Sequence, residues 1–433
     1  MTEFRVREDL DDLYDWDVIE ERLEETASGL VLVERLTIFD DLTERMDQFS
    51  LSGLRIETEF TDFSGPDGFG VMPWETITIE YDESGALAFR ETVFDTGAVL
   101  TETFAGGIRS ETYQLDSLNG PNGAGEEIWD EIVTQYDLSG LISARETTFD
   151  TGVLKLETFQ SGVRSTVSQT DLFGDAEIWE IINTTYDANG HVQERFTLFD
   201  DGTSKLEGFV GGQRTETFHF DAIDPGSSVA GMGARSWSTI EVYYDGQGSV
   251  SERITVNDDG SSVTSQFEGG VLQNTVKIDG TGGDDGNGAN PWSRVETLYD
   301  DVGRLTLRIT DYDDGRVQYE DFVEGQRTFA HWTDGDGDGP GAHDWSQFLT
   351  FYDAEGAIQA TLIDYDDGDA IATYYQSGSA FERHILDGDG DELWIGRQVT
   401  FAADESIATD TFFFDEFEIP DDFFNLPEVG GLA

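Results

Sequence analysis

Eight of the nine tryptophans recur as a phase marker. Trp16, Trp74, Trp129, Trp179, Trp237, Trp292, Trp345 and Trp394 are separated by 58, 55, 50, 58, 55, 53 and 49 residues. A period of this size identifies a tandem repeat, in which each block buries its surface against its neighbours. Behind each marker the same pattern returns. In the second repeat a segment runs from Trp74 to Tyr81 and turns at Asp82-Glu83-Ser84-Gly85. A second segment carries Arg90, Thr92 and Phe94, turns at Asp95-Thr96-Gly97, and leads to a third with Glu102 and Phe104. Gly106-Gly107 then opens a fourth, beginning at Arg109, and a Gly/Asp/Pro-rich loop returns the chain to Trp129. Glycines placed where a turn needs positive φ read as a β-meander of four strands.

Alternation supports strands over helices. At three, five and seven residues past the marker come Ile77, Ile79 and Tyr81, then Ile240, Val242 and Tyr244, then Phe348, Thr350 and Tyr352. That is a period of two. The expected fold is therefore all-β: a tandem array of seven to eight four-stranded antiparallel units wound as a ribbon, with an eight-bladed propeller as the close alternative. The array spans 16–415, between an N-terminal segment 1–15 and an acidic, aromatic C-terminal tail 416–433. Only two strands fit after Trp394, so the array either ends in a cap or is completed by Phe4 to Arg7, as a propeller would be.

Counting through the turns sets a register. A three-residue loop at 95–97 places Arg90 opposite Glu102, and the same count pairs Arg35 with Asp47, Arg145 with Glu157, Arg195 with Glu207 and Arg308 with Glu320. Opposite charges facing across one side of a sheet are expected to bond. Arg253 instead meets Ser265, and Thr361 meets Thr373. The two-residue turn sets Phe104 against Arg109, Phe159 against Arg164, Phe209 against Arg214 and Phe322 against Arg327, within cation-π reach.

Charge decides which partners are compatible. The chain of 433 residues has 91 acidic and 24 basic residues, a formal charge of -67, and only three lysines, Lys155, Lys205 and Lys277. Aromatics at 12% distinguish it from a disordered acidic tail. Such a surface repels nucleic acid, and high salt or divalent cations would relieve its self-repulsion, which suits a saline or calcium-rich setting. Cysteine is absent, which excludes disulfides and thiol chemistry. The N-terminus has no Sec-type apolar core, and no apolar run is long enough for a membrane span. The tail, with Phe412-Phe413-Phe414 and Phe423-Phe424 and no base after Arg397, resembles the C-terminal tails of proteins exported by type I secretion. That resemblance implies an extracellular location by a non-Sec route; a cytoplasmic protein with an acidic tail is the other reading.

Ligand-like groups concentrate in the loops between repeats. Asp334, Asp336 and Asp338 alternate with glycines, as do Asp387, Asp389 and Asp391. Alternating carboxylates let hard oxygens converge on one cation, so these six residues are the candidate calcium ligands. Neither loop completes an EF-hand, because position twelve is Trp345 in one and Gln398 in the other. Asp284 and Asp285 form a degenerate relative. Of the histidines 191, 219, 331, 343 and 384, His331 and His343 flank the first aspartate loop and His384 precedes the second, an arrangement a transition metal could use. No nucleophile elbow, phosphate loop or zinc motif is present.

The stretch Tyr299-Asp300-Asp301-Val302-Gly303-Arg304-Leu305, continuing through Tyr312-Asp313-Asp314-Gly315-Arg316 to Tyr319, resembles the YD repeat of Rhs and teneurin-type proteins. Shorter copies lie at Tyr81-Asp82, Tyr136-Asp137, Tyr186-Asp187 and Tyr352-Asp353. The resemblance implies a wound β ribbon or shell and a role in scaffolding, adhesion or encapsulation without catalysis. The expected function is thus a non-enzymatic extracellular or surface scaffold with a protein or polysaccharide partner, stabilised by Ca2+. A carbohydrate-active propeller enzyme and a cytoplasmic interaction or antitoxin-like repeat protein are the alternatives.

Overall fold

The computed structural model describes residues 2–9, 15–62, 72–116, 127–173, 177–221, 235–280, 288–334, 343–414, 418–420, 423–424 and 426–427. They form two compact bodies, Met1–Gln213 and Arg214–Ala433, divided at the last turn of the fourth repeat. The first holds sixteen described strands, from Thr2–Glu8 to Ser204–Val210, and the second fifteen, from Gln213–Phe220 to Ile407–Phe413.

Within each body the strands form an antiparallel ladder in chain order. The ladder does not stop at the end of a repeat. Arg55–Thr61, which closes the first repeat, pairs with Trp74–Tyr81, which opens the second, through Thr58 opposite Ile79. Gln326–Thr333 pairs in the same way with Trp345–Tyr352. Propeller blades are not hydrogen-bonded edge to edge, so the ribbon is the correct architecture and the propeller alternative is set aside. The segment Phe4 to Arg7 does not complete the last repeat; it pairs with Arg22 to Ile19 of the first marker strand.

Each predicted register is present: Arg90 faces Glu102, Arg35 Asp47, Arg145 Glu157, Arg195 Glu207 and Arg308 Glu320. Arg253 faces Ser265 and Thr361 faces Thr373. Followed from strand to strand these positions make one row on one face, passing through Arg90, Glu102, Thr112, Thr134, Arg145 and Glu157. The order Arg, carboxylate, then two Thr or aliphatic positions returns every four strands, with Val167 and Ala330 in the third place of two repeats, and it breaks at Ser265 and Thr373.

Many of the buried residues lie along this row. Packed layers of strands would bury mainly Val, Ile and Leu, whereas here many of the most buried side chains are Thr, Glu and Asp, with Asp47, Glu102 and Glu157 each 2% exposed. Aliphatic packing is concentrated in the second body. There Phe329, Phe351 and Ala360 form one cluster and Leu362, Ala370 and Ala372 another. Phe424 and Leu426 of the tail pack against the second cluster. Phe423 is buried, stacks on His384 at 4.7 Å and accepts a hydrogen bond from that ring through its carbonyl. The tail therefore seals apolar surface that the last strands would leave wet.

A bulge explains why the marker works. Trp74 pairs with Phe94 and Thr76 with Val93, so Glu75 is an extra residue in the ladder. This shift puts the tryptophan on the same face as Ile77 and Ile79, although it stands an odd number of residues away. Trp129, Trp179, Trp237, Trp292 and Trp345 have the same bulge.

Candidate functional site

The charged row gathers cations around its carboxylates. Glu102 accepts from Arg90 in the preceding strand and from Arg109 in the following one, the latter at 2.6 Å. Glu320 is held by Arg308 at 3.4 Å and Arg327 at 2.7 Å. Asp47 is held by Arg45 at 3.0 Å and Arg55 at 3.3 Å, and accepts from the Thr58 hydroxyl at 2.7 Å. Burying a carboxylate is costly unless it is paired and hydrogen-bonded. Two cations per carboxylate meet that requirement.

The pairing departs from expectation in detail. Arg35 bonds Glu21 at 2.8 Å, and Asp47 takes Arg45 and Arg55 instead. Glu157 is held by Lys155 at 3.2 Å and Arg164 at 2.8 Å, while Arg145 faces it with no bond among the described residues. A lysine in the carboxylate's own strand displaced the facing arginine.

The fourth-strand arginines reach further than the hairpin predicts. Arg109 lies opposite Phe104, but its guanidinium sits over Tyr136 of the next repeat, 5.6 Å from the ring centre. Arg164 covers Tyr186, Arg214 covers Tyr244 and Arg327 covers Tyr352, at 5.5 to 5.7 Å. These rings are the tyrosines of the Tyr-Asp pairs. The aspartate acts instead on the turn that follows it. Asp82 Oδ1 accepts from the backbone N–H of Ser84 at 2.8 Å and of Ala86 at 2.9 Å, which fixes the turn. The Ser84 hydroxyl and those N–H groups hold the Asp82 carboxyl below the usual carboxylate range. Tyr therefore receives the previous repeat's cation while Asp closes the turn to the next strand.

At the other edge an aspartate stands at the base of each described inter-repeat loop. Asp62 accepts from Met72 N–H at 2.7 Å, Asp116 from Glu127 at 3.0 Å, Asp171 from Glu177 at 3.2 Å and Asp279 from Asn290 at 2.9 Å. The N–H groups of Asp62, Asp116 and Asp279 reach the carbonyl of the residue after the marker, as in Asp62 to Glu75 at 3.0 Å. Sequence reasoning missed this set; the signal was an Asp a few residues past the last alternating position.

The candidate calcium ligands divide four ways. Asp336 and Asp338, like Asp284 and Asp285, lie outside the described residues. Asp334 Oδ2 accepts from His343 N–H at 3.3 Å, so it is a loop-base aspartate. Asp387 and Asp389 do come together, and Asp369, which the sequence did not single out, joins them with ligand oxygens all within 4.8 Å. Asp391 is not in that group. Its carboxyl is pushed up, first by the neighbouring charge of Asp389. Part of the group's coordinating capacity is already committed: Asp387 accepts from Gly390 N–H at 2.9 Å and Glu392 N–H at 3.2 Å, and Asp369 from Gly388 N–H at 2.8 Å. Three carboxylates offer about half of the six to eight oxygens that calcium takes. The donor chemistry suits a hard cation, and unbonded lone pairs remain on these oxygens.

The histidines do not converge. His331 stacks near Tyr319 at 5.9 Å, and burial holds its ring below the ordinary imidazole range. His343 stacks on Trp345 at 5.1 Å, and His384 is occupied by Phe423 and, at 3.1 Å, by Glu382. Among the described residues no helix is long and apolar enough to cross a membrane. A scan against protein-family models and a search of curated proteins return no match to this chain.

Proposed function

We propose that this chain is a non-enzymatic repeat scaffold of the extracellular or cell-surface kind, holding a partner on its sheet and stiffened by calcium at Asp369, Asp387 and Asp389. One observation carries the reading. The row that runs through the repeats uses its carboxylates to tie neighbouring strands together: Glu102 takes cations from both sides, and Glu320 does the same in the second body. Charges used in this way supply ladder strength in a sheet with little aliphatic core. The turn aspartates and loop-base aspartates serve the same end. The Tyr-Asp resemblance to wound-ribbon proteins supports the same class.

The calcium part of the reading is supported by Asp369, Asp387 and Asp389, whose carboxylate oxygens lie within 4.8 Å of one another. The test is a thermal melt of the full chain in low salt, with calcium and then with excess chelator. Calcium is expected to raise the melting temperature and Asp389→Asn to remove the increment. An identical melt in both conditions overturns the calcium claim. Incubation with polysaccharides tests the other half, since release of reducing ends would make the protein an enzyme.

A further inference from the structure

The fifth repeat is where the charged row is taken apart. Ser265 stands where the other repeats place their carboxylate, opposite Arg253. Leu272, opposite Phe267, stands where Arg109 faces Phe104 and Arg327 faces Phe322. The consequences are local and specific. Arg253 is exposed and bonded to no acidic group among the described residues. Tyr299, the Tyr-Asp tyrosine that would receive the missing arginine, has no guanidinium over its ring among them. Lys155 and Lys205 are bound to Glu157 and Glu207, at 3.2 and 2.9 Å, yet the third lysine, Lys277, is exposed and without a bonded partner among the described residues.

These groups lie on one face. Arg253 is opposite Ser265, which is opposite Thr275, and Lys277 is two residues along from Thr275 on the same strand. In the two central rows of that face, from Trp237–Tyr244 to Leu305–Tyr312, the other residues besides Arg308 are Ile, Val, Thr and Ser, with no carboxylate. In a chain of charge -67 this is a window of positive sign. A groove of about 510 Å3 opens at its edge, lined by Lys277, Trp292, Tyr299, Tyr312 and Gln318 among others, and the one carboxylate in its lining, Glu320, is held by Arg308 and Arg327. Trp292 lies opposite Tyr312, and Tyr312 is backed by Trp332, stacked at 5.2 Å.

We infer that this groove binds an acidic saccharide, its ring faces on Trp292 and Tyr299 and its carboxylate or sulfate on Lys277, with Arg253, two strands beyond the lining residue Thr275 on the same face, meeting the next acidic unit. Aromatic faces accept the C–H side of a sugar, and the hydroxyls and amide between them bond its hydroxyls. Two cations without carboxylate partners select the anionic form. The inference rests on the scaffold reading and names the class of partner that the scaffold holds.

Titration calorimetry of the full chain with hexagalacturonate and with neutral cellohexaose, in about 0.5 M NaCl to screen the overall charge, tests it. The acidic probe is expected to bind at least about tenfold more tightly. Lys277→Gln and Trp292→Ala should each weaken it by about tenfold or more. Ser265→Glu, which gives Arg253 its carboxylate and supports the ladder, should weaken it without loss of fold by circular dichroism. Equal binding of the two probes, no binding of either, or a Lys277→Gln protein that binds as the parent does, overturns the inference. Cleavage of bound hexagalacturonate would sink the scaffold reading and leave the site standing; absence of binding without cleavage would do the reverse.

Discussion

A single carboxylate per repeat shows how far residue-level reasoning reaches. The facing of Arg90 and Glu102 was legible because turn length and side-chain period fix register together. The second cation was not, since Arg109 lies beyond another turn and its path over the sheet depends on tertiary spacing. Replacing Glu102 by Gln leaves two guanidinium groups facing a neutral amide. Both are about two-fifths exposed, so we expect a loss of about 2 kcal/mol, below the range for a fully buried pair. Chemical denaturation reads it directly. Ser265→Glu should act in the opposite sense and raise the midpoint. Acid separates two groups of aspartates. Asp82 and Asp137 have lowered values, through bonds from Ser84 and Ser139 and from backbone N–H groups. They add stability above the unfolded value near about 4 and lose it as the pH falls through the folded one. Asp150 is raised, first by burial and then by Asp130 and Asp116, so it costs stability near neutrality and gives it back as it protonates. The melting temperature should therefore rise from neutral pH to a maximum between about 4 and 6 and fall below it; a steady decline from pH 7 would contradict this.

Strands and their alternation could be read from residues such as Ile77, Ile79 and Tyr81, but the bulge at Glu75 could not, because nothing in its side chain marks an extra residue. The same limit applied to the tail. Phe423 and Phe424 looked like part of an irregular acidic end, and only the packing of the last strands shows them to be a seal. Close approach between loop and hairpin was equally hidden. A Cβ on Gly388 would lie 1.8 Å from the Gly368 carbonyl oxygen, and one on Gly280 2.1 Å from that of Asp259. The two loops thus rest on the hairpin turn of their own repeat. Gly388→Ala must displace backbone, and a cost of about 1–3 kcal/mol is expected. Hydrogen exchange should show faster opening around Asp387, and unchanged protection there would argue against the contact.

Across the whole molecule the dominant unpaired term is charge. Self-repulsion at -67 is screened by salt. Stability should therefore climb between about 0.05 M and about 1 M NaCl, even though the Glu102 and Glu320 bridges weaken slightly over the same range. A melting temperature that falls with salt would place the bridges above the repulsion. The architecture was legible at this scale because the Trp period is long and regular, whereas ribbon and propeller differ only in whether Thr58 meets Ile79 across a repeat boundary. No side chain in either strand encodes that choice. Strand parity constrains how such a molecule can change. Four strands is an even number, so the chain enters each successive block heading the same way, and Tyr-Asp corners keep to one rim while Trp-led loops keep to the other. Gain or loss of an entire block preserves this parity. Insertion of one strand would send all later corners to the opposite rim and part the arginine from its tyrosine at the point of insertion, so the pattern is kept only when the ribbon lengthens by whole multiples.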